Sequence, residues 1–182
     1  MKKLWSLLLC VTILTGCSHG NNDLEPAMQL RSKILQAETC TFTARITADY
    51  GDMVYTFTLQ CQADKDGNVT FTVSSPETIE GITGRITADG GAITFDDTVL
   101  CIPLLTDDQL TPVSSPWILM RALRTGYIRS CGENRVVIDD SYASDALTLD
   151  VKLGNSGFPE LAEIYWKNRR ILTVQVVSFS LS

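Results

Sequence analysis

The side chains able to do covalent chemistry are few, and their spacing is that of turns. Histidine occurs once, at His19, and no Gly-x-Ser-x-Gly motif is present. A serine or cysteine nucleophile further along the chain therefore has no imidazole to activate it. Three pairs of adjacent aspartates are the remaining acid–base candidates: Asp96-Asp97, Asp107-Asp108 and Asp139-Asp140. Neighbours on a strand point to opposite faces and Asp favours turns, so the sequence predicts no catalytic residue and a protein that is not an enzyme.

Metal chemistry has equally little support. The stretch Asp64-x-Asp66-Gly67 matches the start of a calcium-binding loop but lacks the later ligands and the terminal Glu, so we interpret it as a hairpin turn. No Cys-x-x-Cys spacing occurs, and His19 precedes the predicted domain, which disfavours zinc. We therefore expect no metal and no cofactor.

The cysteines divide into two groups. Cys10 and Cys17 lie in the N-terminal segment. The other four are Cys40, Cys61, Cys101 and Cys131. An even number in an exported chain favours disulfides, and four cysteines allow three pairings. A hairpin predicted for residues 40–63 favours Cys40 with Cys61, which leaves Cys101 with Cys131. Four free thiols that act as small apolar side chains are the alternative.

The N-terminus has the layout of an export signal. Lys2 and Lys3 precede an apolar run over residues 4–14, which is too short for the roughly 20 residues of a spanning helix. The tetrapeptide Leu14-Thr15-Gly16-Cys17 resembles the bacterial lipobox. That resemblance implies cleavage before Cys17 and acylation of its thiol. We expect a signal peptide at 1–16, a lipidated tether at 17–25 and a single domain at 26–182. An ordinary secretory signal or a short membrane anchor is the alternative.

Charge restricts the partners further. The formal net charge is −6, and loss of Lys2 and Lys3 with the signal makes it −8. Such a surface repels phosphates, so we expect no nucleic-acid partner. Contact with the membrane would come from the lipid on Cys17, because multiple acyl chains give a stable anchor. The expected location is the outer face of the cell membrane.

The elements that position these residues are mostly strands. Helical spacing of apolar residues predicts a helix from Pro26 to Glu38, and Ser114-Ser115-Pro116 is expected to cap a second helix over 117–124. Period-two alternation predicts ten antiparallel strands at 40–50, 53–63, 69–73, 82–88, 92–95, 99–102, 135–138, 146–153, 162–167 and 171–180. In the last strand we expect Phe179 and Leu181 on the face opposite Leu172.

This order of elements resembles the LolA/LolB superfamily of lipoprotein carriers. The residues that carry the resemblance are Leu30 and Ile34 of the first helix, Tyr55-x-Phe57-x-Leu59, Ser75-Pro76-Glu77 before Gly81-Ile82, and Gly91-Ala92-Ile93-Thr94-Phe95. It implies a mainly β (α+β) fold: a curved antiparallel sheet or incomplete barrel with an N-terminal helix and an inserted helix as lid. LolA itself is soluble and acyl-free, so the lipobox makes this chain more like LolB and the lipoprotein relatives of single-membrane, spore-forming bacteria.

The resemblance implies one of two alternative functions. In the first, a non-enzymatic lipoprotein holds a lipid, acyl chain or other apolar ligand in the half-barrel cavity. The expected cavity residues are Tyr55, Phe57, Leu59, Phe71, Ile86, Phe95, Trp117, Met120 and Leu123, with Met53, Tyr50 and Trp117 at its mouth. A solid core is the other interpretation of the same residues. In the second form, the chain is a tethered scaffold for an envelope or spore-associated protein, as is one germination lipoprotein that binds a cell-wall amidase.

Overall fold

A computed structural model describes residues 24–95, 98–102, 105–106, 109–143 and 146–182. Cys17, the signal peptide, most of the tether and two of the aspartate pairs lie outside these residues. The described residues contain two α-helices, α1 (Glu25–Gln36) and α2 (Ser115–Thr125). The strands are β1 (Thr39–Asp49), β2 (Val54–Asp64), β3 (Val69–Ser75), β4 (Thr83–Thr87), β5 (Gly90–Phe95), β6 (Thr98–Ile102), β7 (Leu105–Thr106), β8 (Gln109–Leu110), β9 (Tyr127–Gly132), β10 (Arg135–Asp139), β11 (Thr148–Leu153), β12 (Pro159–Trp166) and β13 (Arg169–Leu181).

The strands form one open antiparallel sheet. Its order is β6-β5-β4-β3-β2-β1-β13-β12-β11-β10-β9, so β6 and β9 are the two end strands, and the described strands do not pair them with each other. The prediction of an antiparallel sheet of about ten strands is confirmed, with eleven observed. Strand β9 was missed because four of its six residues are exposed and it has no apolar alternation, and the small β7–β8 ladder lies outside the predicted strands.

The long hairpin β1–β2 lies near the middle of the sheet. It pairs without interruption from Thr39 opposite Asp64 to Asp49 opposite Val54. Alternate residues of both strands are buried, which is the period-two pattern expected of a half-buried sheet. The turn after β2 is closed by the Asp64 carboxylate, which accepts hydrogen bonds from the backbone N–H groups of Asp66 and Asn68 at 3.0 and 2.9 Å. The predicted hairpin turn, rather than a calcium loop, is therefore confirmed.

Strand β13 corrects one prediction about side-chain faces. The register shifts between Thr43 and Ala44, where Thr43 is opposite Ser178 but Ala44 is opposite Val176. Beyond this bulge, each side chain of β13 lies on the sheet face opposite to the one that strict alternation predicts. Phe179 therefore stacks on the buried Phe42, with ring centroids 5.8 Å apart. Phe179 therefore lies on the same face as Val176. The sequence alternation alone placed it on the opposite face, because a bulge has no periodic signal.

The two helices pack on the core face of the sheet, and the buried residues of both helices and the sheet form one hydrophobic cluster. Helix α1 buries Ala27, Leu30 and Ile34, whereas Met28 and Leu35 are half exposed, contrary to the predicted apolar face. Helix α2 is buried over most of its length. Among the described residues, no helix is both long and apolar enough to cross a bilayer.

The start of α2 differs from the predicted cap. Neither Ser114 nor Ser115 makes a side-chain capping bond. Instead, their hydroxyls donate to the carbonyl oxygens of Thr111 and Pro112 at 2.6 and 2.7 Å. Both serines are fully buried, so these bonds satisfy hydroxyls that would otherwise be orphaned in the core. A short 3₁₀ turn at Pro112–Ser114 supplies the geometry.

Candidate functional site

The residues predicted to line a cavity separate into two groups. Seven of them are buried in the common core: Phe57, Leu59, Phe71, Ile86, Trp117, Met120 and Leu123. Tyr55 and Phe95 are about half exposed instead. Of these nine residues, only Phe71 borders any of the three cavities defined by described residues. In the described part of the chain, the seven buried side chains thus pack against one another between the helices and the sheet.

Helix α2 is held to α1 at its C-terminal end and to the end of β10 from its middle. At its C-terminus, the Arg31 guanidinium of α1 donates to the carbonyl oxygens of Leu123 and Gly126 at 2.8 and 2.7 Å. A cation at these carbonyls also opposes the negative end of the helix dipole. In the middle of α2, Arg121 forms an ion pair with Asp140, which follows β10, and lies 4.5 Å over the Trp117 ring of its own helix. These contacts hold α2 on the core face of the sheet.

The residues predicted for the cavity mouth do not form one group. Trp117 is buried beneath Arg121. Tyr50 and Tyr55 instead meet edge to face at the β1–β2 turn, with centroids 6.3 Å apart, and the Tyr55 hydroxyl lies 3.1 Å from the Met53 sulfur. Met53 and Tyr55 are about half exposed. The tyrosine pair is a surface feature of the hairpin tip.

Apolar surface also continues past the core at the β5–β6 end of the sheet. The register places Phe71, Gly84, Ile93 and Leu100 in one row across β3, β4, β5 and β6, on the core face. Phe71 is buried and Ile93 half-buried, but Leu100 is 60% exposed, and Phe95 on the same face is 53% exposed. We call Ile93, Phe95 and Leu100 the apolar strip. It is an uncovered extension of the core face.

Gly84 makes the close packing beneath the strip possible. A Cβ at this position would lie 2.4 Å from Cζ of Phe71 and 2.9 Å from the carbonyl oxygen of Ala92. Because glycine has no Cβ, the Phe71 ring can pack on the Gly84 backbone and β5 can approach β4 closely. The core therefore ends at Gly84, and Ile93 and Leu100 lie beyond it.

Strand β6 adds a second binding element to the strip. It is an end strand, and no described strand pairs with its outer edge. Its backbone therefore presents N–H and C=O groups for pairing with another strand. Val99 on the opposite face is 62% exposed, so apolar side chains flank this edge on both faces. An exposed end strand with apolar residues on both faces is typical of a site for strand addition.

The described residues include no arrangement of side chains suited to catalysis. They contain no group of three metal-ligating side chains. Burial raises the pKa of the Cys40 thiol to about 12, against a smaller lowering by Arg124, and burial also raises the pKa of Cys61. These thiols are thus poor nucleophiles at neutral pH. Asp139 forms an ion pair with Arg129, and Asp140 forms an ion pair with Arg121.

The four cysteines among the described residues, Cys40, Cys61, Cys101 and Cys131, are free thiols. Cys40 is opposite Ala63, and Cys61 is opposite Phe42, so the two share a face but are diagonal neighbours instead of direct partners. Cys101 and Cys131 belong to β6 and β9, the two end strands. Cys40 and Cys61 are buried, whereas Cys101 is exposed. The structure shows no disulfide among these four cysteines, although Cys40 and Cys61 lie near each other on one face of the hairpin, as predicted.

The fold belongs to the class of open antiparallel sheets with two helices packed on one face. This is the LolA-like architecture that the sequence resemblance implies. No protein-family model matches the sequence, and no curated protein matches it.

Several solved structures have a similar architecture. A LolA superfamily protein from Nitrosomonas europaea is 10% identical with a TM-score of 0.47, over 86% of this chain and 93% of that one. A putative outer membrane lipoprotein-sorting domain from Vibrio parahaemolyticus is 8% identical with a TM-score of 0.48, over 88% and 92%. A chain in the complex of the CwlD amidase with the GerS lipoprotein from Clostridioides difficile is 15% identical with a TM-score of 0.41, over 91% and 99%. We infer no ligand or partner from scores below 0.5.

Proposed function

We propose that this chain is an exported, non-enzymatic binding scaffold, anchored to a membrane through a lipid on Cys17, that takes up a strand of a partner protein at β6. The observation that carries this proposal is the exposed end strand with Phe95, Val99 and Leu100 around it. The burial of seven predicted cavity residues in one cluster between the helices and the sheet supports surface binding over an enclosed ligand.

Strand addition explains how this edge could bind both tightly and selectively. Backbone hydrogen bonds to β6 would supply affinity for any extended segment, and the alternating side chains of β6 would select its residues. Full burial of an apolar side chain is worth roughly 1.5–3 kcal/mol, so covering three half-exposed side chains contributes roughly 3 kcal/mol. The acidic net charge, −8 once the signal is removed, favours a partner with a basic surface.

An apolar ligand is the second candidate, and the apolar strip is the observation that favours it. Ile93, Phe95 and Leu100 face the same side of the sheet as the core. An acyl chain lying along this strip would extend the core outward without displacing α2. Such a ligand would bind to an open surface, not inside the half-barrel cavity predicted from the sequence.

One substitution separates the two candidates. Leu100→Glu places a charge on the strip, and Val177→Glu is the matched control because Val177 on β13 is 61% exposed, as Leu100 is 60%. A photoreactive residue at position 100, with position 177 as control, identifies the partner in cells. Affinity for that purified partner should fall at least about tenfold in Leu100→Glu and stay unchanged in Val177→Glu.

Binding of a fluorescent fatty acid is measured on the same variants. Loss of fatty-acid binding in Leu100→Glu without a crosslinked partner supports the apolar-ligand candidate instead. If position 100 crosslinks nothing and fatty acid does not bind, both candidates are wrong. Anchoring is tested separately, since Cys17→Ala should move the protein from the membrane fraction to the soluble fraction.

A further inference from the structure

A pocket lies at the β9–β12 end of the sheet, far from the apolar strip, on the face that points away from the core. The register aligns Tyr127, Asp139, Thr148 and Tyr165 in one row across β9, β10, β11 and β12. Their neighbours Ile138, Leu149 and Ile164 are buried on the opposite face. The row therefore has small polar side chains in the middle and a tyrosine at each end. Three strand spacings of about 4.8 Å set these tyrosines roughly 14 Å apart at their Cα atoms.

A third tyrosine stands over this row. Tyr142, in the loop after β10, is 90% exposed and tilts against Tyr127 with centroids 5.5 Å apart. Together with the β12–β13 turn at Lys167 and Asn168, the three tyrosines enclose a cavity of about 400 Å³. Tyr127 and Tyr142 are exposed, so their rings are available to a ligand, whereas Tyr165 is half-buried. We call this cavity the tyrosine pocket.

The loop that carries Tyr142 is fixed at its base. The Asp140 carboxylate is nearly buried, accepts a hydrogen bond from the backbone N–H of Leu147 at 2.8 Å and forms an ion pair with Arg121 of α2. The Asp140 N–H also donates to the Leu147 carbonyl oxygen at 2.9 Å. These bonds close the loop at both ends. Tyr142 is therefore presented by an anchored loop, and a ligand would not have to order that base.

The charged groups of the pocket already have partners. Asp139 accepts hydrogen bonds from Nε and Nη2 of Arg129 at 3.0 and 2.8 Å, and a third from the Thr148 hydroxyl at 2.8 Å. Lys167 keeps its positive charge and lies 4.1 Å over the Trp166 ring. A phosphate would have to compete with Asp139 for Arg129. A quaternary ammonium group would meet the Lys167 ammonium beside the rings, which would repel it.

A neutral, hydroxyl-rich ring fits these constraints. Sugar rings present C–H groups on one face, which pack on aromatic rings, and hydroxyls on their rim, which bond to planar groups such as guanidinium, carboxylate and amide. The pocket offers exposed Tyr127 and Tyr142 rings for the first kind of contact, and Arg129, Asp139 and Asn168 for the second. We propose that the tyrosine pocket is a saccharide-binding site that takes a segment of a neutral glycan chain.

The test uses the full-length protein in a detergent without a sugar headgroup, because a glycoside detergent would compete for the pocket. Chitotetraose, cellotetraose and maltotetraose are titrated by isothermal calorimetry. Tyr142→Ala removes the exposed ring, and Tyr142→Phe keeps the ring face while removing the hydroxyl. Tyr55→Ala is the matched control, since Tyr55 is an exposed tyrosine outside the pocket. Thermal melting of each variant checks that it is folded.

At least one of the three sugars should bind the unaltered protein. Its affinity should fall at least about tenfold in Tyr142→Ala, and stay within about threefold in Tyr142→Phe and Tyr55→Ala. The proposal is overturned if none of the sugars binds at 10 mM. It is also overturned if Tyr142→Ala binds as well as the unaltered protein, or if Tyr55→Ala loses binding to the same extent.

Discussion

Arg31→Met should destabilise the fold by releasing the C-terminus of α2 from α1. The Arg31 guanidinium donates to three carbonyl oxygens at the end of α2: those of Leu123 at 2.8 Å, Gly126 at 2.7 Å and Ala122 at 3.3 Å. Burial of this region lowers the pKa of Arg31, against a smaller raising effect of Cys131, yet the group stays charged at neutral pH. The substitution keeps the apolar stem and removes every donor.

The expected loss of stability is about 2–3 kcal/mol. A hydrogen bond from a charged donor contributes about 1.5–3 kcal/mol, but Arg31 is only half buried, so water replaces part of each bond. We count about 1 kcal/mol for each of the two short bonds. Loss of the cation at the negative end of the helix dipole adds about 0.3–1 kcal/mol. For a domain of this length, that corresponds to a fall in Tm of about 5–10 °C.

Urea unfolding followed by circular dichroism measures this difference. Lys33→Met is the matched control, because Lys33 is in the same helix and its ammonium contacts only the face of Phe158, at 5.9 Å from the ring centroid. It should change stability by less than about 0.5 kcal/mol. Arg31→Lys keeps the charge without the forked donors and should fall between the two. If Arg31→Met and Lys33→Met are equally stable, Arg31 does not hold α2.

Two further predictions concern packing and thiol reactivity. Gly84→Ala should lower stability by about 1–3 kcal/mol, because the new methyl group would overlap Phe71 and the Ala92 carbonyl. Gly132→Ala, with nothing within 4 Å of its Cβ position, is the control in the same urea assay, and an equal effect of both would refute the packing argument. At pH 8, the exposed Cys101 should react rapidly with Ellman's reagent, whereas the raised pKa values of the buried Cys40 and Cys61 should delay their reaction until urea unfolds the protein. Failure of all cysteines to react in urea without reductant would instead establish the disulfides predicted from the sequence.

Much of the fold was predictable because its strongest signals are local. The alternation in residues 40–63 predicted the β1–β2 hairpin and its buried face, and Pro26 and Gly126 mark helix ends that the structure places within two residues. Strand β9 was missed because four of its six residues are exposed, so it has no apolar alternation. The change of face at Phe179 was missed because the bulge depends on the pairing of two distant strands.

The candidate sites were less predictable, because they depend on which strands are neighbours. The sequence singled out Phe95 as an apolar residue, but only the register shows that it lies on an uncovered strip with Leu100. Tyr127, Tyr142 and Tyr165 are separated by up to 38 positions and share no motif, so nothing in the sequence relates them. Their common pocket comes from the pairing of β9 to β12.

By itself, the sequence determined the period of each element, the absence of an imidazole partner for nucleophilic catalysis and the acidic net charge. These properties reside in residue types and short spacings, which no tertiary contact alters. Only the tertiary structure decided that seven of the predicted cavity residues are buried and that β6 is an end strand. Whether an apolar residue packs inward, lines a cavity or remains uncovered depends on what folds against it, and those contacts join residues far apart in the chain.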